Sequence, residues 1–275
     1  MDNLKANQVK TIGFIGAGQM AKSLAAGISS TNPAKFEFQI SDPSTAACDS
    51  FSELVGQHST VVRAANNQAV LDTSELVFLA VKPQYVDAAL DDLKISNNPL
   101  IVSIVAGFQL FSLQRLTGTN RVIRVMPNTP CLIGLGASAV STGDEVSVED
   151  VELVKSFLAS VGTVVEVEER LMDSVTGLSG SGPAYVLTFI ESLIDGAVLT
   201  GMPRTIAREL AIQTVLGTAT MLQDSGEHPA VLRDRVTSPG GTTIEGLKSL
   251  EENSFRDAVM SAVHAASVRS SELGE

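Results

Sequence analysis

Val9-Lys10-Thr11-Ile12-Gly13-Phe14-Ile15 is followed at once by Gly16-Ala17-Gly18-Gln19-Met20-Ala21, and the reading of these thirteen residues decides the fold. The first seven are a short β-prone run. The next six supply glycines at the first and third positions and a small residue at the sixth. A helical pattern continues from about Met20 to Ile28. Strand, G-x-G-x-x-A, then helix is the context in which two glycines let a backbone approach a pyrophosphate seated on a helix N-terminus. Gly16, Gly18, Gln19 and Met20 are therefore assigned to a dinucleotide.

Working outward, a second strand at Phe36-Glu37-Phe38-Gln39-Ile40 ends in Ser41-Asp42-Pro43-Ser44. That is the distance at which such folds read the adenosine ribose. Asp42 suits a free 2′-hydroxyl and hence NAD, whereas Ser41 and Ser44 suit a 2′-phosphate, although no arginine follows at once. Asp42 also reads as a plain Asp-Pro turn initiator. Continuous apolar runs follow at 76–81, 100–105 and 121–126, with helical pattern between them, including a helix through Leu93. Runs of that kind mean a parallel sheet covered on both faces, with ligands at the carboxyl ends of its strands. Ala80-Val81-Lys82-Pro83, Ala106 and Asn128 lie at those ends, and Asn67, ahead of the Leu76 strand, is counted with them. Two further strands, 137–141 and 163–167, flank a helix over 148–159.

After Glu168 the pattern is helical only, broken at Ser179-Gly180-Ser181-Gly182-Pro183, Gly201-Met202-Pro203, Gly226-Glu227-His228-Pro229 and Ser238-Pro239-Gly240-Gly241. The expected fold is α/β: a Rossmann-type, mostly parallel sheet domain over 1–168, then an all-α domain over 169–275. The longest apolar stretch, Ala184 to Met202, contains Glu191 and Asp195 and reads as a buried helix rather than a membrane span. The last of these breaks runs into a helix. Pro239 and the glycine pair turn the chain, and Thr242-Thr243-Ile244-Glu245 has capping-box spacing, with Thr242 as N-cap. Such a start suits an ordinary cap, and equally a small carboxylate at the positive end of the helix dipole.

The totals narrow the partners. The 275 residues are 44% hydrophobic and 18% charged, as in a soluble globular protein. Nineteen Lys and Arg against 31 Asp and Glu give a net charge of −12, which argues against nucleic acid or an anionic membrane as partner. Two cysteines, Cys48 and Cys131, make neither a disulfide framework nor a metal set and point to a reducing, cytoplasmic setting. No metal site is expected, and the first ten residues carry no signal-peptide core.

Proton carriers for alcohol chemistry are scarce. His58, His228 and His264 read as surface or packing residues. Tyr85 and Tyr185 read as core packing, Cys131 as filler, and Glu191 with Asp195 as a solvated stripe or helix contact. Lys82 is the best-placed acid but suits ribose or phosphate equally. Gly177-Leu178-Ser179-Gly180-Ser181-Gly182 superficially resembles the G-x-x-G-x-G of β-hydroxyacid dehydrogenases, which place a catalytic lysine four residues after the last glycine. Val186 stands there. A cyclic imine needs less help, because it can arrive protonated and yields an amine on hydride attack; positioning then does most of the work.

Taken together, these residues resemble the Δ1-pyrroline-5-carboxylate reductases over essentially the whole chain. The likeness is carried by Phe14 to Ala21, Ala80-Val81-Lys82-Pro83-Gln84, Met126-Pro127-Asn128-Thr129-Pro130, Leu178 to Tyr185, and most specifically Leu232 to Thr243. The resemblance implies reduction of L-1-pyrroline-5-carboxylate to L-proline by NADPH or NADH, the last step of proline synthesis. It implies that Ser238, Gly240, Gly241, Thr242 and Thr243 hold the substrate carboxylate, with the Thr243 hydroxyl near the ring nitrogen in a catalytic role. It also implies a homodimer of interleaved helical domains, often within a ring of dimers, with a pocket built from two chains. Members that strongly prefer NADP tend to carry a basic residue just after the second strand, where this chain has Pro43. A reductase of another small acid and a non-catalytic dinucleotide sensor are the competing readings.

Overall fold

The computed structural model describes residues 10–31 and 36–274. Val9, read as the start of the first strand, and most of the stretch inspected for a signal peptide lie outside the described residues. Strands and helices alternate: β1 (Thr11–Ile15), α1 (Gln19–Thr31), β2 (Glu37–Ser41), α2 (Thr45–Val55), β3 (Thr60–Arg63), α3 (Asn67–Thr73), β4 (Leu76–Leu79), α4 (Val86–Leu90), β5 (Leu100–Ser103), α5 (Leu110–Thr117), β6 (Val122–Met126), β7 (Gly136–Thr142), α6 (Val148–Ala159) and β8 (Gly162–Glu166). They form one sheet in the order β3-β2-β1-β4-β5-β6-β7-β8. Every pairing is parallel except β6 with β7. That exception has a simple cause. Only a short 3₁₀ turn at Thr129–Ile133 joins the two strands, too little chain for the crossover that a parallel neighbour needs.

Both faces of the sheet are covered. On one, Phe14 stacks on Phe78 at 4.8 Å between ring centroids and meets Phe51 at 5.4 Å. On the other, Ile15, Val77, Leu79 and Ile101 pack with Leu71, Val86 and Leu113. β3, at the sheet edge, is not among the strands the apolar runs predict: its four side chains are mostly exposed and carry no such run. The helix expected through Leu93 stops at Leu90. Tyr85 was expected in the core but is 57% exposed. It closes the single 3₁₀ turn Pro83–Tyr85, and the next residue, Val86, takes the buried place.

Arg124 on β6 is 3% exposed. Its guanidinium lies 3.3 Å from Glu169 and 3.7 Å from Asp173. Glu169 also accepts from the Leu110 amide, and Asp173 accepts the Ser270 hydroxyl at 2.7 Å. A buried charge of this kind needs such a shell of partners.

From Glu169 on, the chain is helical, as expected: α7 (Met172–Val175), a π-turn at Thr176–Gly180, α8 (Gly182–Leu199), α9 (Arg204–Ser225), α10 (Pro229–Arg235), α11 (Thr242–Glu252) and α12 (Phe255–Leu273). By compactness, residues up to Ser181 form a first unit. Residues from Ala265 onward belong with the first unit, and Gly182–His264 form the second. Within the second unit α8 packs on α9, and Asp195 pairs with Arg204 at 2.8 Å. Tyr185 donates to the Ala262 carbonyl at 3.3 Å. The expectation of a buried helix over 184–202 is not met: no residue of α8 is buried, and Leu187 and Leu199 are 66% and 89% exposed. By length and composition alone, the helical run Glu169–Leu199 is long and apolar enough to cross a membrane.

Candidate active site

The carboxyl ends of β2, β1, β4, β5 and β6 lie side by side, and the strand order reverses between β1 and β4, the crevice where such sheets bind dinucleotides. Gly16 has φ +99°, and a Cβ there would stand 2.6 Å from the Ala80 carbonyl oxygen. Only glycine lets the β1 and β4 ends approach this closely. Its amide donates to Ser41 O at 2.8 Å, tying in β2. A Cβ on Gly18 would meet nothing within 4 Å. The space over the start of α1 is therefore open, and the first turn of α1 has no acidic residue to repel an anion. A glycine that admits close strand approach and a second that clears the helix end fit a pyrophosphate.

The other expected cofactor residues fall around this crevice with varied engagements. Asp42 is a turn-former here: Oδ1 accepts from Ser44 N at 2.8 Å and Oδ2 from Ala17 N at 2.8 Å. Ser41 ends β2 and is half-buried, while Lys82 and Pro83 are exposed at the 3₁₀ turn beyond β4. Ala106 precedes Gly107, which has φ +85° and would bring a Cβ to 3.3 Å from Leu273. Asn67 donates to the Ala89 carbonyl at 2.9 Å. Asn128 is buried and satisfied at both ends of its amide, donating to Ser179 O at 3.1 Å and accepting from Ala137 N at 2.8 Å. Both asparagine side chains hold loops in place.

The second glycine-rich start lies within the second unit. The Gly241 amide donates to Ser238 O at 3.1 Å, closing a turn with Pro239 at its second position and Gly240, φ +64°, at its third. The expected capping box is not formed. Gly241 is the N-cap, in extended backbone with φ −82° and ψ 177°, and no side chain caps the helix. Thr242 thus becomes the first helical residue and Glu245 the fourth, one register off the T-x-x-E geometry. The first-turn amides of α11 are left without a side-chain acceptor, beside the Ser238 hydroxyl and the half-buried Thr243. That is the form an anion site takes.

The remaining candidates are structural. His228 caps α10, Nδ1 accepting from Ala230 N at 3.2 Å. His58 and His264 are exposed. Cys131 is 2% exposed, as expected of filler. Burial also pushes the Cys48 thiol up, away from the reactive thiolate. Among the described residues no group of three His, Cys, Asp or Glu is placed to hold a metal.

A Rossmann-type sheet whose first glycine-rich turn leaves open space over the start of α1 fits the class of nicotinamide-dependent oxidoreductases. Comparison with known proteins is consistent with that class. Residues 11–107 match the family described as NADP oxidoreductase, coenzyme F420-dependent, and residues 169–273 match pyrroline-5-carboxylate reductase dimerisation. A pyrroline-5-carboxylate reductase of Synechocystis is 45% identical over 96% of this chain and 98% of its own length. One of Arabidopsis thaliana is 44% identical over 96% and 95%. The crystal structure of the Plasmodium falciparum pyrroline carboxylate reductase with NADP bound superposes with a TM-score of 0.83, at 34% identity over 98% of this chain and 99% of that one. The chain belongs to the pyrroline-5-carboxylate reductase family. It is an NAD(P)H-dependent oxidoreductase with a self-association segment from residue 169.

Proposed function

We propose that this chain reduces L-1-pyrroline-5-carboxylate to L-proline, closing proline synthesis, with NADPH as the reductant and NADH as an alternative. The observation that carries the reading is the start of α11, where the Ser238 turn leaves first-turn amides without a side-chain cap. The bound cofactor supplies hydride to the C=N carbon. Gly16, Gly18, Gln19 and Met20 seat its pyrophosphate, and the segments at Ser41–Asp42, Asn67, Ala80–Pro83, Ala106 and Asn128 line its course.

The substrate carboxylate is held by the Ser238 hydroxyl and the amides of Thr242 and Thr243. Gly240 makes the turn possible, and Gly241, whose own amide is spent inside it, keeps a side chain from crowding Ser238. Thr243 directs its hydroxyl to the ring nitrogen. No lysine is needed where Val186 stands, because a protonated imine accepts hydride without forming an alkoxide. Purified protein is expected to oxidise NADPH or NADH only when pyrroline-5-carboxylate is present; no turnover with either cofactor refutes the assignment.

Thr243→Ala is expected to lower kcat/KM about tenfold, the value of one hydrogen bond of ~1.4 kcal/mol. Thr243→Val, which keeps the shape, separates loss of the hydroxyl from loss of packing. Unchanged kinetics in both removes Thr243 from the mechanism.

The working unit is a homodimer, and a ring of dimers is the larger assembly we favour. The apolar faces of α8 and α9, with Leu187, Leu193, Leu210 and Leu216 exposed in one chain, support burial against a second copy. An acidic chain with two free, buried cysteines supports a cytoplasmic location.

A further inference from the structure

The loop after β2 lacks the basic residue that a 2′-phosphate calls for, yet the sheet register brings one from further along the chain. Arg63, the last residue of β3, pairs with Ile40, one residue before Ser41. Its Nη2 donates to Thr45 Oγ1 at 3.1 Å, at the first residue of α2. Arg63 is exposed, and among the described residues it makes no ion pair with a carboxylate. The nearby Asp42 carboxylate is turned into the loop by the Ala17 and Ser44 amides, both at 2.8 Å. The first turn of α2 contains no acidic residue. In folds of this class the adenosine ribose lies at the end of the second strand, and an arginine nearby accommodates a 2′-phosphate.

We propose that Arg63, with the Thr45 hydroxyl, recognises the 2′-phosphate of the adenosine ribose and sets the preference for NADPH over NADH. The inference rests on the reductase reading above and sharpens its cofactor. A guanidinium presents two parallel N–H donors to a phosphate. One already spans to Thr45, whose hydroxyl hydrogen stays available to donate to the same phosphate. Asp42, with both oxygens accepting backbone amides, is left as the former of the turn that orients this pair.

The test is nucleotide binding by calorimetry on the full chain, with 2′,5′-ADP and 5′-AMP as probes. Wild type is expected to bind 2′,5′-ADP at least tenfold more tightly than 5′-AMP, because the contact is charge-assisted. Arg63→Gln is expected to erase that difference while leaving 5′-AMP affinity unchanged, which also reports an intact fold. Arg63→Lys is expected to restore part of it, and the NADPH to NADH ratio of kcat/KM is expected to fall about tenfold in Arg63→Gln. No preference for 2′,5′-ADP in wild type, or a preference that survives Arg63→Gln, overturns the proposal. Absence of turnover with pyrroline-5-carboxylate counts against the reductase reading alone, because the nucleotide titrations do not involve substrate.

Discussion

Replacing Gly16 with alanine is expected to weaken NADPH binding by a hundredfold or more and to lower the melting temperature. The cause is local and steric. The residue holds φ +99°, where an L side chain is strained by about 1–3 kcal/mol. The new Cβ would also stand 2.6 Å from Ala80 O and 2.8 Å from its carbonyl carbon. Neither side can yield cheaply, since Ala80 N donates to Ile15 O at 2.8 Å and Gly16 N to Ser41 O at 2.8 Å. The loop must therefore lift off β4, carrying the pyrophosphate seat with it. A hundredfold loss corresponds to about 2.7 kcal/mol, well within strain plus displacement. Gly18→Ala is the informative control. A Cβ there meets nothing and the backbone is unstrained, so its melting temperature is expected to match wild type while NADPH affinity falls. Fluorescence titration with NADPH and thermal unfolding of both variants separate seat distortion from seat filling. Wild-type affinity in Gly16→Ala contradicts the assignment of this turn to the cofactor.

Removing the two carboxylates around Arg124 is expected to have the largest effect on stability. In Glu169→Gln/Asp173→Asn the guanidinium, with a side chain 4% exposed, keeps its charge and loses both counter-ions. Breaking a buried pair from one side typically costs about 3–5 kcal/mol. For a chain of this size that is roughly 10 °C in melting temperature. Arg124→Met fills similar space without a charge and leaves carboxylates that are partly exposed and can hydrate, so a smaller loss is expected. Thermal unfolding of the three proteins should rank wild type, then Arg124→Met, then the double variant. Equal stability of the double variant and wild type contradicts a structural role for the network. Arg124 joins β6 to Glu169 and Asp173, and Ser270 near the end of α12 completes the set, so the network fastens the first and last turns of the helical segment to the sheet.

The sequence revealed most of the sheet because a doubly covered parallel strand must be apolar throughout. Runs such as Leu76–Leu79 and Leu100–Ser103 stand out for that reason. Thr60–Arg63 does not, since an edge strand with mostly exposed residues has no need of such a run, and with it went Arg63 as a cofactor candidate. Register between strands some twenty residues apart leaves no local mark. The cap of α11 falls one position before the T-x-x-E spacing places it, because a glycine with extended backbone can serve as N-cap with no side chain at all. The exposure of α8 was illegible for a different reason: an apolar helix reads the same whether its own chain or a second copy covers it. Asn128 lies just beyond β6, where the apolar run before it ends, but nothing in the sequence marks that Ala137 and Ser179 occupy its amide.

The most direct measurement is a crystal structure of the protein with NADP⁺ and L-proline bound. The expected result is a proline carboxylate within hydrogen-bond distance of Ser238 Oγ and the Thr242 and Thr243 amides, with Cδ, the ring carbon next to nitrogen that does not bear the carboxylate, facing C4 of the nicotinamide. A carboxylate lodged away from residues 238–243, or a nicotinamide ring turned from them, contradicts it.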